Sequence, residues 1–237
     1  MQDTEIHPAL AAIMNDRRSP IVLVIGNKNY SSWSMRPWVL MKAFGIPFEE
    51  VRIPLGQPDS TTRITNYSMA GKVPILLMND IKVWDSMAIC EFLADQFPQL
   101  HLWPKNLAAR AHARSICAEM HSGFSSLRFD MPMNIRASLH GKGRTLGAQA
   151  DIGRICEIWE ECFASHGAHD YLFGDFSVAD AYFAPVVMRF RSYGVSLAPA
   201  LQAYADRVTA HPAVMQWIRE ACAETETMAW HDARSEK

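Results

Sequence analysis

Residues 21–38 read IVLVIGNKNYSSWSMRPW, and this stretch decides how the chain begins to fold. The five aliphatic residues of Ile21–Ile25 predict a buried β-strand, which a Gly-Asn pair ends. A helix is predicted from about Ser32 to Phe44, where a glycine and a nearby proline stop it. Apolar and charged residues alternate over Phe48–Ile53, which predicts a second strand. These elements form a β-α-β unit, so the two strands should be parallel.

The following residues extend this unit. A loop with one short helix is predicted between Gly56 and Gly71, because the stretch is polar and contains proline, serine and threonine. Val73–Met78 and Ile81–Trp84 predict a hairpin across an Asn-Asp turn. A helix over Met87–Gln96 follows and ends before a proline. The predicted order is β-α-β-α-β-β-α, which is an α/β domain over residues 20–100.

No further strand is predicted after this domain, and the rest of the chain has the apolar spacing of helices. Met120 and Phe124, for example, lie four residues apart on one apolar stripe. The predicted helices cover Asn106–Phe129, 145–166, 178–192, 197–210 and 213–224. The fold class is therefore α/β plus all-α. The predicted parts are an N-terminal extension at 1–19, the α/β domain, a linker at 101–105 and an all-helical domain at 106–237.

Charge and composition exclude several classes of partner. Lys and Arg total 23, Asp and Glu total 25, and the net charge is −2. A nucleic acid is therefore not expected as a partner. The longest apolar runs are far shorter than the roughly 20 residues that span a bilayer, so no membrane partner is expected either. The N-terminal acids precede the basic pair, the reverse of a secretory signal, and the cysteines are odd in number and scattered. We therefore predict a cytoplasmic protein with reduced thiols.

Three polar stretches of the α/β domain carry the candidate chemistry. The hydroxyls of Tyr30–Ser34 lie at a helix start, where they either cap the helix or donate to a bound anion. Gly71–Pro74 enters a strand, where a proline is tolerated in either peptide isomer. Asp85 and Ser86 begin another helix, either as a cap or as a pair that binds the ammonium and carboxylate of an amino-acid-like ligand.

Together these stretches resemble the cytosolic glutathione transferases over about residues 21–223. The most specific match is Asn29–Trp38, which is similar to a bacterial serine-type branch near the zeta and theta classes. Gly71–Leu76 resembles the family's cis-proline segment, and Trp84–Ile89 resembles its acid-Ser-x-Ala-Ile motif. Phe176–Asp180 resembles the capping box that begins a central helix in this family, which we assign to folding. The resemblance implies a thioredoxin-like first domain and a helical bundle as the second.

The resemblance also implies a set of glutathione contacts. Val73, before a cis proline, would pair its backbone with the cysteinyl unit of glutathione. Asp85 would hold the ammonium of the γ-glutamyl end, and Lys72 would face the glycyl carboxylate or remain solvated. The residues assigned to glutathione binding are Tyr30, Lys72, Val73, Pro74, Asp85 and Ser86.

Ser31 and Ser32 are the implied catalytic residues, and one of them would donate a hydrogen bond to the thiolate of glutathione. Lowering a thiol pKa by about two units requires about 2.7 kcal/mol of preference for the anion. A hydrogen bond to a charged group supplies about 1.5–3 kcal/mol, and a helix N-terminus adds about 0.3–1 kcal/mol. One serine and the helix end therefore account for an activated thiolate, which would attack a small hydrophobic electrophile.

The electrophile pocket is assigned to Trp33, Met120 and Phe124, although core packing explains the last two equally well. Trp33 stands where the zeta class, which isomerises maleylacetoacetate, has a cysteine. The predicted function is that of a glutathione S-transferase. The alternatives are a glutathione-dependent isomerase, similar to maleylacetoacetate isomerase, and a non-catalytic interaction protein with this fold.

Two further expectations concern metals and assembly. No metal is predicted, because Cys162, His166 and His169 have a suitable spacing but no fourth ligand nearby. The resemblance implies a homodimer.

Overall fold

A computed structural model describes residues 20–167 and 170–235 of the 237-residue chain. The predicted N-terminal extension at 1–19 and the candidate ligand His169 lie outside the described residues. Within them, no helix is both long and apolar enough to cross a membrane.

The first part of the chain forms a mixed four-stranded sheet. Its strands are β1 (Val22–Ile25), β2 (Glu49–Arg52), β3 (Ile75–Met78) and β4 (Ile81–Trp84). They lie in the order β2-β1-β3-β4. β1 and β2 are parallel as predicted, and β3 is antiparallel to both β1 and β4. The Asn-Asp turn closes the β3–β4 hairpin, where Asn79 adopts a positive φ of 54°.

Three helices flank this sheet: α1 (Ser32–Ala43), α2 (Ser60–Thr65) and α3 (Ser86–Gln96). The main core joins buried side chains of β1, α1 and α3 on one face of the sheet, including Leu23, Val39 and Leu93. A smaller apolar cluster on the other face includes residues of α2 and β2. The sheet and helices give the predicted thioredoxin-like domain, and α1 and α3 both begin at the edge where the candidate residues lie.

The remaining elements are helical in the described part of the chain, as predicted. After a 3₁₀ turn at Pro98–Leu100, the α-helices are α4 (Leu107–Ser122), α5 (Ser125–Asp130), α6 (Leu146–His166), α7 (Val178–Tyr193), α8 (Pro199–Ala210), α9 (Pro212–Ala223) and α10 (Ala229–Ser235). The short helix α10 was not predicted from the sequence.

Helix α7 is the central element of the helical part and contacts α1, α4 and α8. Nearly all of its residues are buried. The predicted capping box begins it: the Asp180 carboxylate accepts from the Ser177 backbone N–H at 2.9 Å. Asp180 also accepts from Leu172 N–H at 3.1 Å and from the Tyr204 hydroxyl at 3.2 Å. Burial raises the pKa of Asp180 to about 6.

The single helix predicted over Asn106–Phe129 is wrong. The chain leaves the helix at Gly123, whose N–H closes α4 on the Glu119 carbonyl. Phe124 then adopts a positive φ of 60°, which no helix interior allows, and α5 starts a new direction. Glycine has a low helix propensity, which helps the chain to break here.

Candidate active site

Two adjoining cavities lie beside the starts of α1 and α3. We call the first, of about 500 Å³, the polar cleft. It is lined by Trp33, Ala70, Lys72, Val73, Pro74, Trp84, Asp85, Ser86 and His121. We call the second, of about 370 Å³, the arginine pocket. It is lined by Tyr30, Ser31, Ser32, Trp33, Leu55, Ile64, Gly71, Lys72, Val73, Arg128, Pro132, Arg189, Trp230 and His231. Because both share Trp33, Lys72 and Val73, a ligand can extend from one cavity into the other.

The two serines at the start of α1 have different partners. Ser31 caps the helix: its Oγ accepts from the Ser34 backbone N–H at 3.3 Å and donates to Ser34 Oγ at 2.7 Å. Ser32 is the first residue of the helix, and its Oγ accepts from Nη2 of Arg189 at 3.1 Å. Both hydroxyls are nearly buried and both face the arginine pocket. The Ser32 hydroxyl hydrogen is not used by this contact, so it can serve a bound anion.

The turn before β3 brings its backbone to the junction of the two cavities. The Val73–Pro74 peptide bond is cis, as the resemblance implied. Val73 lines both cavities, and Pro74 lines the polar cleft just before β3 begins. Lys72 also lines both cavities. The backbone of Val73 is thus positioned to pair with an extended peptide-like ligand.

A hydrogen-bond network organises the start of α3. Asp85 has a positive φ of 79°, and its carboxylate caps α3 by accepting from Met87 N–H at 2.8 Å. The Ser86 hydroxyl lies 3.0 Å from the Tyr182 hydroxyl, which lies 2.8 Å from Nδ1 of His121. Nε2 of His121 lies 3.4 Å from the Asp85 carboxylate, which closes the network. A strained residue held this firmly at a cleft is typical of a binding site.

Three guanidinium groups lie near the start of α1, two against the Trp33 ring and one at the Ser32 hydroxyl. Arg36 lies 4.3 Å and Arg128 lies 4.6 Å from the centre of the Trp33 ring. Arg189 is buried and donates to the Met131 carbonyl at 2.6 Å. Burial, together with the charge of neighbouring arginines, lowers the pKa of Arg128 to about 10 and that of Arg189 to about 9. The second domain therefore gives this pocket a positive charge.

The C-terminal segment Glu224–Asp232 folds back over the first domain. The Glu224 carboxylate accepts from the backbone N–H groups of Lys28 at 2.7 Å and Asn29 at 3.0 Å. The Tyr30 hydroxyl donates to Asp232 at 3.0 Å. Trp230 and His231 of this segment line the arginine pocket. The segment thus forms one side of the pocket, and it occupies the Tyr30 hydroxyl that the sequence alone leaves open for a ligand.

Nine of the eleven residues selected from the sequence line these cavities, and two do not. Met120 and Phe124, assigned to the electrophile pocket, are almost fully buried in the main core. The break at Gly123 turns α5 toward the site instead, so Arg128 lines the pocket. Sequence reasoning missed Arg128, Pro132, Arg189, His121, Trp230 and His231. One signal was available: Arg189 interrupts an otherwise apolar run in α7, where an arginine is rare without a role.

The cysteines contribute nothing to these cavities in the described part of the chain. Burial raises the pKa of the Cys90 and Cys117 thiols well above the usual range, so both remain protonated. His112 and His166 pair through Nδ1 and Nε2 at 3.0 Å. Among the described residues, no cluster of three His, Cys, Asp or Glu could hold a metal ion.

Comparison with known proteins agrees with the fold. Family models of the glutathione S-transferase N-terminal and C-terminal domains match residues 30–96 and 109–220. Glutathione S-transferase GstB of Escherichia coli K12 is 30% identical over 160 residues, which cover 62% of this chain and 74% of that protein. A probable maleylacetoacetate isomerase of Caenorhabditis elegans is 24% identical over 171 residues, covering 71% and 78%.

A solved structure of a glutathione transferase homologue from Burkholderia, with bound glutathione, is also similar. It superposes with a TM-score of 0.67 at 25% identity and covers 86% of this chain and 98% of that one. Both family domains are thus present in order, with the first carrying the cis proline and the two helix starts. On these grounds the chain belongs to the glutathione S-transferase family.

Proposed function

We propose that this protein binds glutathione across the polar cleft and the arginine pocket and transfers its sulfur to a small electrophile. The observation that carries the proposal is that the two cavities share Trp33, Lys72 and Val73 in their linings. In one direction they lead to Asp85 and Ser86, and in the other to the hydroxyls of Ser31 and Ser32. An extended tripeptide can therefore have its α-amino-acid end in the cleft and its thiol at the start of α1.

In the proposed complex, Asp85 binds the ammonium of the γ-glutamyl unit and Ser86 binds the carboxylate beside it. The network through Tyr182 and His121 supports this role, because it fixes both side chains before the ligand arrives. The Val73 backbone pairs with the cysteinyl unit, and Lys72 faces the glycyl carboxylate. Each contact is an expectation of the resemblance, and all four side chains line the cavities.

The thiolate is stabilised by a hydroxyl of Ser31 or Ser32 and by the N-terminus of α1. The contact from Arg189 supports Ser32, because a guanidinium donating to Oγ polarises the hydroxyl and leaves its hydrogen for sulfur. Ser31 must first release Ser34. The activated sulfur then attacks the electrophilic carbon, the C–S bond forms, and the leaving group departs with its electron pair.

A glutathione-dependent isomerase is the second candidate. Two observations favour it: the name of the Caenorhabditis elegans relative and the positive charge of the arginine pocket. A conjugating enzyme consumes one glutathione per product, whereas an isomerase returns it unchanged. A non-catalytic interaction protein with this fold is the third candidate. It would convert neither glutathione nor the electrophile.

One series of measurements separates the three candidates. Titration with glutathione in a calorimeter should show one site per chain. No detectable binding at millimolar glutathione would refute the proposal. The rate with a chlorinated nitroaromatic is then followed together with the amount of free thiol. Loss of thiol in step with product supports the transferase, and constant thiol during conversion of a cis-alkene substrate supports the isomerase.

We also propose that the protein is a cytoplasmic homodimer. The five cysteines are free. The edge strand β4 exposes Ile81 and Trp84, whose side chains a second copy would cover. Light scattering on a sizing column should give twice the mass of 26.7 kDa. A monomer would refute the dimer and leave the chemistry untouched.

A further inference from the structure

The arginine pocket contains positive charge that the protein does not balance. Arg128 and Arg189, which line it, make no ion pair with any carboxylate in residues 20–167 and 170–235. Other arginines do form ion pairs, as Arg154 does with Glu119 at 2.8 Å. Arg128 and Arg189 differ from the exposed arginines because burial lowers the pKa of both and because both line one cavity.

Leaving guanidinium groups buried without a partner is unfavourable. Their pKa values are lowered by loss of solvent and by each other, yet arginine remains protonated at neutral pH. Buried charges in proteins are normally paired. Since the pocket opens beside the proposed reacting sulfur, the missing anion is expected from a ligand.

The two arginines also have donors that form no hydrogen bond within the described residues. Arg128 uses Nε for the Gly123 carbonyl and Nη2 for the Met120 carbonyl, which leaves Nη1 without a hydrogen bond in the described residues. Arg189 uses Nη1 and Nη2, which leaves Nε. These donors come from two helices, α5 and α7, and both side chains line the same cavity.

Glutathione does not account for this charge. In the proposed complex its two carboxylates lie at Ser86 and Lys72, both contributed by the first domain. The arginines come from the second domain, and Arg189 reaches the first domain at the hydroxyl of Ser32. A second anionic group is therefore needed, and it belongs to the other substrate.

We propose that the second substrate carries a carboxylate, which Arg128 and Arg189 bind. The inference rests on the proposed function and narrows its substrate from a hydrophobic electrophile to an anionic one. Because Arg189 also contacts Ser32, the carboxylate lies within a few bonds of the carbon that sulfur attacks. The substrate is consequently compact, with its electrophilic carbon and its carboxylate close together.

Two glutathione conjugates that differ in one group test this proposal by binding alone. Glutathione displaces chloride from 4-chloro-3,5-dinitrobenzoate and from the matching benzamide, which releases chloride and one proton in each case. The purified conjugates are then titrated into the protein in a calorimeter. The carboxylate conjugate should bind about tenfold tighter or more, since it alone forms charged hydrogen bonds.

Matched variants assign the preference to the pocket. Arg128→Met should remove most of the tenfold preference. Arg191→Met is the control, because Arg191 lies on α7 two residues after Arg189 but is exposed. It should retain the full preference. Arg189→Met provides a second variant, and circular dichroism checks that each variant is folded.

The outcomes separate this proposal from the proposed function. Equal affinity for the two conjugates, with glutathione itself bound, would overturn the carboxylate proposal and leave glutathione binding intact. A preference that survives in both arginine variants would also overturn it. If neither glutathione nor either conjugate binds, the proposed function and this inference fall together.

Discussion

The two walls of the site are built in different ways. The first-domain wall consists of backbone groups, small hydroxyls and one carboxylate at the starts of α1 and α3 and at the cis proline. The second-domain wall consists of long side chains from α5, α7 and α10, chiefly Arg128, Arg189 and Trp230. The first wall suits a ligand with a peptide backbone, and the second suits a charged group. The division suggests that one wall binds the common tripeptide while the other selects its partner.

The largest effect is expected for the residue that holds the second wall in place. Asp180→Ala removes the acceptor of four buried donors on Leu172, Ser177 and Tyr204, since Ser177 donates through both its backbone N–H and its hydroxyl. Unsatisfied buried donors of this kind should lower the free energy of unfolding by about 3 kcal/mol. Urea denaturation measures the loss, and the exposed Asp175→Ala should change stability by less than about 0.5 kcal/mol.

The same variant also tests whether the two walls act separately, because Asp180 lies on the same helix as Arg189 of the second wall. Asp180 acts on the fold and does not touch the cavities. The folded Asp180→Ala protein should therefore keep its glutathione affinity. Unchanged stability would refute the capping role. Loss of glutathione affinity in a folded variant would show that the N-terminal end of α7 also contributes to glutathione binding.

The pH dependence of this position has a definite sign. Burial raises the pKa of Asp180 to about 6, above its value in the unfolded chain. The unfolded state therefore releases this proton first as pH rises, so the contribution of Asp180 to stability decreases between about pH 4 and pH 6. Subtracting the unfolding curves of Asp180→Ala from those of the parent should reveal this decrease. A difference that grows over the same window would contradict it.

The first wall could be predicted from the sequence because its signals are local. A strand, a turn and a helix start in succession identify Ser31 and Ser32, and Asp85 precedes a helix in the same way. The β-α-β order and most of the later helices were likewise predicted from apolar spacing, whereas the break at Gly123 and the short helix α10 were not.

The second wall could not be predicted because its residues meet only in the folded chain. Arg128 reaches the pocket after a break at Gly123, and no periodicity shows the direction that α5 takes after it. Met120 and Phe124 were selected as one stripe of a continuous helix, and the structure buries both side chains in the main core. Trp230 belongs to a segment that returns over the first domain through contacts made by Glu224.

The next largest effect is expected for Ser32, and it tests the chemistry of the first wall. Ser32→Ala should raise the pKa of the bound thiol by about one unit or more, because it removes a hydrogen bond to an anion. Ser31→Ala should have a smaller effect on the thiol, since Ser31 is engaged with Ser34, but should lower stability by about 1 kcal/mol through the lost cap. Ultraviolet absorbance of the thiolate gives the pKa, and a larger shift for Ser31→Ala would reverse the assignment.

Asp85→Asn tests the other end of the first wall. Asparagine can still cap α3, so the fold is preserved, but the charge that faces the ammonium is lost. Glutathione should bind about tenfold more weakly by calorimetry. Asp80→Asn, in the exposed turn between β3 and β4, is the matched control and should bind normally. An unaltered affinity in Asp85→Asn would mean that the charge of Asp85 does not contribute to binding the ammonium of glutathione.

The smallest effect concerns the C-terminal segment and tests where the boundary between the walls lies. Asp232→Ala removes the acceptor of Tyr30 and of Asn134 and so loosens the side of the pocket formed by Trp230. Each lost hydrogen bond is partly exposed, so the KM for the second substrate should rise by about threefold. Glutathione affinity should not change, because Asp85 and Ser86 lie in the polar cleft. If glutathione binding weakens as much as that of its partner, the returning segment serves both ligands and the two walls act as one.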